Sequence, residues 1–175
     1  MALSGLGFCR KQKRAFFAHI LERTDEAFEV TLPDGITKIG VGAFDSCKGL
    51  KAISIPNSVA SIGAGAFQYC TILESISISN MLTSIGASAF MGCANLVLAS
   101  LPNGLTSIGT NAFRFCTNLA LTSITFEGTP SSIATMAFYE CSNLKAINVP
   151  WAEGAVSGAP WGATNATINY NYTGE

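Results

Sequence analysis

Six cysteines and one histidine are the residues of this 175-residue chain best suited to metal, redox or nucleophilic chemistry. Five of the cysteines, Cys47, Cys70, Cys93, Cys116 and Cys141, follow one another at intervals of 23 to 25 residues, with no C-x-x-C pair among them. A structural zinc site needs four thiolate or imidazole ligands, usually delivered as closely spaced pairs, and that spacing is absent. Regular intervals instead put the thiols at one position of a repeated unit, pointing inward in parallel. Stacked neighbours could come within disulfide range, but the expected state is a ladder of reduced, buried thiols behaving as small apolar residues. Cys9 lies outside the ladder, where it could be exposed.

The remaining chemistry is sparse. His19 has no serine or cysteine near it in a nucleophile motif, and it falls in a segment expected to pack as an end cap. The eleven carboxylates are scattered, with no pair at a suggestive spacing. The glycines of the Ile-Gly pairs recur with the repeat and are expected to serve its turns, so they do not form a phosphate-binding loop. No catalytic residue, no metal and no cofactor is therefore assigned, and the chain is read as a non-enzyme.

The elements that hold these residues announce themselves by repetition. Ile39-Gly40, Ile62-Gly63, Ile85-Gly86 and Ile108-Gly109 are spaced by 23 residues, and Ile133-Ala134 follows after 25. Each pair leads to Ala-Phe (Phe44, Phe67, Phe90, Phe113, Phe138), then to the cysteine three positions on, then to a leucine three beyond that (Leu50, Leu73, Leu96, Leu119, Leu144). The two extra residues of the fourth unit fall in Asn118-Leu119-Ala120-Leu121, where Leu121 is the alternative counterpart. Alternation as in Ile53-Ser54-Ile55-Pro56 has the period of a short strand with one buried face, stopped by proline in three of the five units. The Gly-x-x-Ala-Phe-x-x-Cys stretch has helical spacing and predicts one helical or 3₁₀ turn on the opposite face. No unit can bury its own apolar face. Stacked about 4.8 Å apart, the units close a continuous core under a parallel sheet roughly 25 Å long. Val30-Thr31-Leu32-Pro33 matches the strand end of an earlier unit.

The unit I-G-x-x-A-F-x-x-C-x-x-L-x-x-I-x-I-P closely resembles the BspA-like leucine-rich repeats of oral and gut bacteria, their phages and some protozoan parasites. The resemblance spans residues 30 to 150 and implies an α/β solenoid, a short leucine-rich-repeat array with a parallel sheet on one face and short helical turns on the other, capped at both ends. It also implies a surface protein of the adhesion or protein-binding kind. The segment from Val149 to Tyr170 is similar to the closing segment of such proteins in gut bacteria and their prophages.

Three regions follow: residues 1–28 as an N-terminal cap, probed by the pairs Phe16–Ile20 and Phe17–Leu21; residues 29–150 as the solenoid; and residues 151–175 as a turn-rich segment with a closing strand around Ala166–Tyr172 and Trp151 and Trp161 as lids. Charge is low, at 12% of residues with a formal net of −1, about half the usual share for a soluble domain. Near-neutrality excludes a polyanion-binding role for the whole chain, and no nucleic acid is expected. Arg10, Lys11, Lys13 and Arg14 are read as a solvated face of the cap in preference to a nucleic-acid or membrane contact. No apolar run reaches the roughly 18 residues of a membrane span, and the N-terminus does not read as a secretory signal, so a cytoplasmic or virion-associated setting is expected.

Function then rests on surfaces. Outward residues between the strand isoleucines form a hydroxyl-rich column, Thr31, Ser54, Ser77, Ser100, Thr125 and Asn148, which could take a glycan or an extended peptide or could simply suit a flat sheet. Between Phe and Cys the units vary most, and Tyr69, Arg114, Phe115 and Tyr139 are the candidate partner-binding patch, aromatic and arginine side chains being the usual interface anchors. Packing against neighbouring units is the competing role for all four. The expected function is a non-catalytic protein- or glycan-binding module, in adhesion or phage-tail host recognition. The alternative is a structural component that docks or self-associates through the array.

Overall fold

The computed structural model describes residues 27–98, 100–118 and 122–174; the proposed N-terminal cap up to residue 26, with Cys9, His19 and the basic cluster, and the insertion at 119–121 lie outside the described residues, and Phe28, the last residue given to the cap, instead opens the first strand. Two kinds of short strand alternate along the chain. The first comprises β1 (Phe28–Thr31), β3 (Leu50–Ser54), β5 (Ser75–Ser77), β7 (Ser100–Leu101), β9 (Ser123–Phe126), β11 (Ala146–Asn148) and β12 (Thr167–Asn169). The second comprises β2 (Lys38–Ile39), β4 (Ser61–Ile62), β6 (Ser84–Ile85), β8 (Ser107–Ile108) and β10 (Ser132–Ile133). Every pairing is parallel and joins a strand to its counterpart one turn of chain away, as in Ile53 with Ile76 and Ile62 with Ile85. The molecule is a parallel-sheet solenoid of about six turns.

The second set forms one unbroken sheet, β2-β4-β6-β8-β10. The first set falls into β1-β3-β5 and β7-β9-β11-β12, and among the described residues the two are joined by a bridge at Ser75–Val97. In the outward column Thr31, Ser54 and Ser77 pair in sequence, and so do Ser100, Thr125 and Asn148, but no pairing among the described residues joins Ser77 to Ser100.

The third side of each coil corrects the expectation of short helical turns, because the described residues contain no helix. In the Gly40–Cys47 segment, Ala43, Asp45 and Cys47 donate to the carbonyls of Gly40, Gly42 and Phe44 at 3.3, 3.2 and 3.1 Å. The intervening amides, Gly42, Phe44 and Ser46, donate instead to Ala64, Ala66 and Gln68 of the next coil at 2.9, 2.7 and 2.7 Å. A helix would consume every amide within its own segment. Sending alternate amides outward gives this face its own ladder, at the expense of left-handed backbone at two positions per coil. Those positions are Gly42 and Ser46, Gly65 and Tyr69, Ser88 and Gly92, Asn111 and Phe115, and Met136 and Glu140.

In three of the four Ile-Gly pairs the glycine has a different task from the turn role expected of it. None of Gly63, Gly86 and Gly109 has a positive φ. A Cβ on them would lie 2.7, 2.6 and 2.4 Å from backbone nitrogens of the preceding coil, so close approach requires glycine there.

Inside, Phe44, Phe67, Phe90, Phe113 and Phe138 stack in parallel, with centroids 5.2 to 5.4 Å apart and planes within 7°. Isoleucine and leucine columns from both strand sets complete one core. At the C-terminal end the Trp161 carbonyl accepts the Phe138 amide at 3.0 Å, where the next coil would otherwise supply the acceptor. Trp151 and Trp161 are buried there, both within 6.4 Å of the Phe126 ring.

Candidate functional site

The cysteines are placed by their coils for packing. Cys70, Cys93, Cys116 and Cys141 are buried thiols, while Cys47 at the end of the ladder is half-buried. Each buried thiol donates to the carbonyl of the phenylalanine one coil back, Phe44, Phe67, Phe90 and Phe113, at 3.0 to 3.1 Å. Burial pushes the Cys93 and Cys141 thiols up to about 12, against only a small opposing pull from a backbone amide. Burial, reinforced by neighbouring thiols, also raises Cys70 and Cys116. Thiols that stay protonated are poor nucleophiles and poor ligands. No grouping of three His, Cys, Asp or Glu suited to a metal occurs among the described residues.

On the strand side, the hydroxyl column is drawn into internal bonds. Ser77 Oγ accepts the Ile55 amide at 3.0 Å and donates to Ser54 Oγ at 3.3 Å. Thr125 Oγ1 accepts from Asn148 Nδ2 at 3.2 Å, and Asn148 Oδ1 accepts from Asn169 Nδ2 at 2.7 Å. Ser100 stands in the second sheet segment. The four column residues named as candidates thus fall in two pairs, one in each segment.

On the turn side, three candidates converge. Arg114, the only arginine beyond Arg23, places its guanidinium carbon 4.6 Å from the Phe115 ring centroid and 5.2 Å from that of Tyr139 on the next coil. Its Nε is buried with no hydrogen-bond partner among the described residues. Tyr69 lies two coils back, at the position equivalent to Phe115, and its ring leans over Gly92 between them. A Cβ on Gly92 would sit 2.6 Å from the Tyr69 ring. Glycine at 92 therefore makes room for the tyrosine. The result is a shelf along the solenoid axis: Tyr69, then Phe115 with Arg114, then Tyr139.

Backbone geometry adds what residue types did not reveal. Tyr69 and Phe115 have φ of 56° and 61° and are 44% and 40% exposed. Met136, with φ of 63°, is a third exposed apolar side chain in left-handed backbone, and the sequence reading passed it over. The available signal was alignment of the units: the position filled by Tyr69 and Phe115 is held by glycine at Gly92. Among the described residues, no helix is long and apolar enough to cross a membrane.

A sequence model of the BspA type leucine rich repeat region matches residues 18–145 in six copies. The chain is similar to the solved leucine rich cell surface protein of Faecalibacterium prausnitzii A2-165, with 34% identity and a TM-score of 0.68, over 74% of this chain and 34% of that one. It spans only about a third of that protein's length. It is also similar to the leucine rich repeat protein of T. pallidum (29% identity, TM-score 0.67, 83% of this chain and 70% of the other). A leucine-rich repeat protein of Bacteroides ovatus ATCC 8483 matches at 29% identity and a TM-score of 0.56, over 69% and 39% of the two chains. No curated protein matches the chain.

Proposed function

The chain belongs to the BspA-type leucine-rich-repeat family, and from that premise we propose that it is a non-catalytic recognition module that binds a protein partner through its turn face. The observation that carries this reading is the exposed aromatic pair Tyr69 and Phe115 on the turn face. Left-handed backbone costs an ordinary L-residue about 1–2 kcal/mol, and the same position accepts glycine at Gly92. The coil imposes this backbone at every unit, Ser46 and Glu140 included, so what distinguishes coils two and four is the exposed aromatic ring each carries there. Arg114 and Tyr139 complete an aromatic and cationic cluster of the composition found at interface hot spots.

The hydroxyl residues Ser54, Ser77, Ser100 and Thr125 are the second candidate surface, suited to a glycan. Their internal bonding leaves them fewer free donors and acceptors, so the turn face is preferred. Likeness to a leucine rich cell surface protein supports an adhesive role outside the cell, and the same module would serve host recognition on a phage tail. A second reading, assembly through the array, draws on β12, an edge strand able to accept a further strand.

Light scattering on the eluting chain, followed by an array of host proteins and glycans, tests the choice. The expected result is a monomer with a reproducible protein hit. Phe115→Gly and Arg114→Ala should each weaken that hit by about 30-fold, the loss typical of a hot spot. A hit indifferent to both substitutions refutes the turn-face site. A stable oligomer with a silent array transfers the function to assembly.

A further inference from the structure

One coil is out of phase with the others. Elsewhere the apolar order after the turn is Leu-x-x-Ile-x-Ile, as in Leu50, Ile53 and Ile55 or Leu144, Ile147 and Val149. In the coil preceding β7 the buried residues are Leu96, Leu98 and Leu101, so the middle one arrives a residue early. Moving an inward side chain by one position inverts the local alternation, which a strand accommodates only with an irregularity. Among the described residues, β5 meets the segment before β7 at the Ser75–Val97 bridge, one residue out of the register kept by the other coils.

Beside this bridge lies a cleft of about 220 Å³, lined by Ile76, Ile78, Val97 and Pro102 and by the polar Asn80, Ser100 and Glu127. Val97 is 42% exposed, at the register occupied one and two coils back by the ion pair of Glu74 and Lys51. Exposed apolar surface thus replaces charge beside the cleft. Asn80 and Glu127 are exposed, and Glu127 has no ion pair among the described residues. The volume falls below the roughly 300–1,000 Å³ of sites that enclose a whole small ligand, and is suited to one long side chain. A mixed lining, with the Ile78, Val97 and Pro102 side chains set among polar groups and a carboxylate, matches a chain of methylenes ending in a cation.

We propose that the β5–β7 cleft receives a lysine or arginine side chain from an extended peptide partner. The methylenes lie against Ile78 and Val97, and the cation reaches the Glu127 carboxylate. This site is on the strand side and stands independently of the turn-face reading.

Titration of the ¹⁵N-labelled full chain with acetyl-Gly-Lys-Gly-amide, its arginine counterpart, and the norleucine and glutamate analogues tests the proposal. Lysine and arginine probes are expected to shift the amides of Ile76, Ile78, Val97 and Ser100. The norleucine probe should bind about threefold to fivefold more weakly, the range of an exposed ion pair, and the glutamate probe more weakly still. Glu127→Gln should erase the difference between lysine and norleucine without changing norleucine binding, while Glu153→Gln, an exposed carboxylate away from the cleft, changes neither. The proposal is overturned if lysine and norleucine bind equally to the parent chain. It is equally overturned if shifts cluster at Tyr69 and Phe115, or if none occur at the solubility limit of the probes. Spectral dispersion of the Glu127→Gln chain establishes that it is folded.

Discussion

Phe115 offers a direct test of strain at the residue scale. In ordinary strand or helix backbone, glycine is about 0.5–1 kcal/mol worse than alanine. At φ of 61° the order reverses, because alanine keeps the Cβ that conflicts with left-handed backbone and glycine does not. Urea unfolding should therefore find Phe115→Gly more stable than Phe115→Ala by about 1 kcal/mol; the usual order would mean that position 115 is not left-handed in solution. Cys93 is tested by pH. Its thiol stands at about 12 in the folded chain against an ordinary 9.0, so the unfolded chain loses the proton first as pH rises. The stability this proton carries is complete below pH 9.0 and is lost progressively toward pH 12. Cys93→Ala should accordingly show a shallower loss of stability than the parent across that window. Iodoacetamide at neutral pH should leave Cys93 and Cys116 unmodified until the chain unfolds.

Among the elements, the turn segment shows how a helix-like spacing can end in something else. Phe and Cys three apart share one side of a helix, but they also share one side of successive three-residue turns. The deciding term is the neighbouring coil, whose carbonyls offer partners to alternate amides. The same closeness makes Gly86 hard to replace. A Cβ there would lie 2.6 Å from the Ala64 nitrogen, and backbone on both sides has little room to yield. Gly86→Ala should destabilise the chain by about 1–3 kcal/mol, as overpacking does, read as a lowered midpoint in thermal or urea unfolding. An unchanged midpoint would show that adjacent coils are further apart than described. Position 134, where the unit carries alanine and the repeat lengthens to 25 residues, is where the spacing rule relaxes.

For the whole molecule, stability is a sum of coils and the contacts between neighbours, so position along the axis matters. Phe90 stacks on Phe67 and Phe113, with centroids 5.2 and 5.3 Å away, whereas Phe44 is stacked on one described ring only. Phe90→Ala should cost about 3–5 kcal/mol by opening a cavity in the middle of the column. A loss below about 1 kcal/mol would mean that the phenylalanine column is not the core. Splitting of the first strand set into two sheets has a consequence at this scale too. The β2–β10 sheet and the turn ladder run on past this point, so contact between neighbouring coils does not depend on the first strand set alone.

Repetition determined the solenoid, its parallel pairing and the identity of the core columns, because five copies of Ile-Gly, Ala-Phe and Cys can bury their apolar faces only by stacking in register. The meeting of Arg114 with Tyr139 was also legible, since the two fill the same repeat position on adjacent coils. Tertiary structure alone decided three things. It decided that the turns are a ladder and not helices, because hydrogen-bond partners on the next coil are invisible to a local pattern. It decided that Tyr69 and Phe115 sit in strained backbone, because φ is set by the coil and not by the residue type. And it decided that, among the described residues, Ser77 and Ser100 fall in different sheets, next to a coil that buries Leu98 one position earlier than the isoleucine of its neighbours.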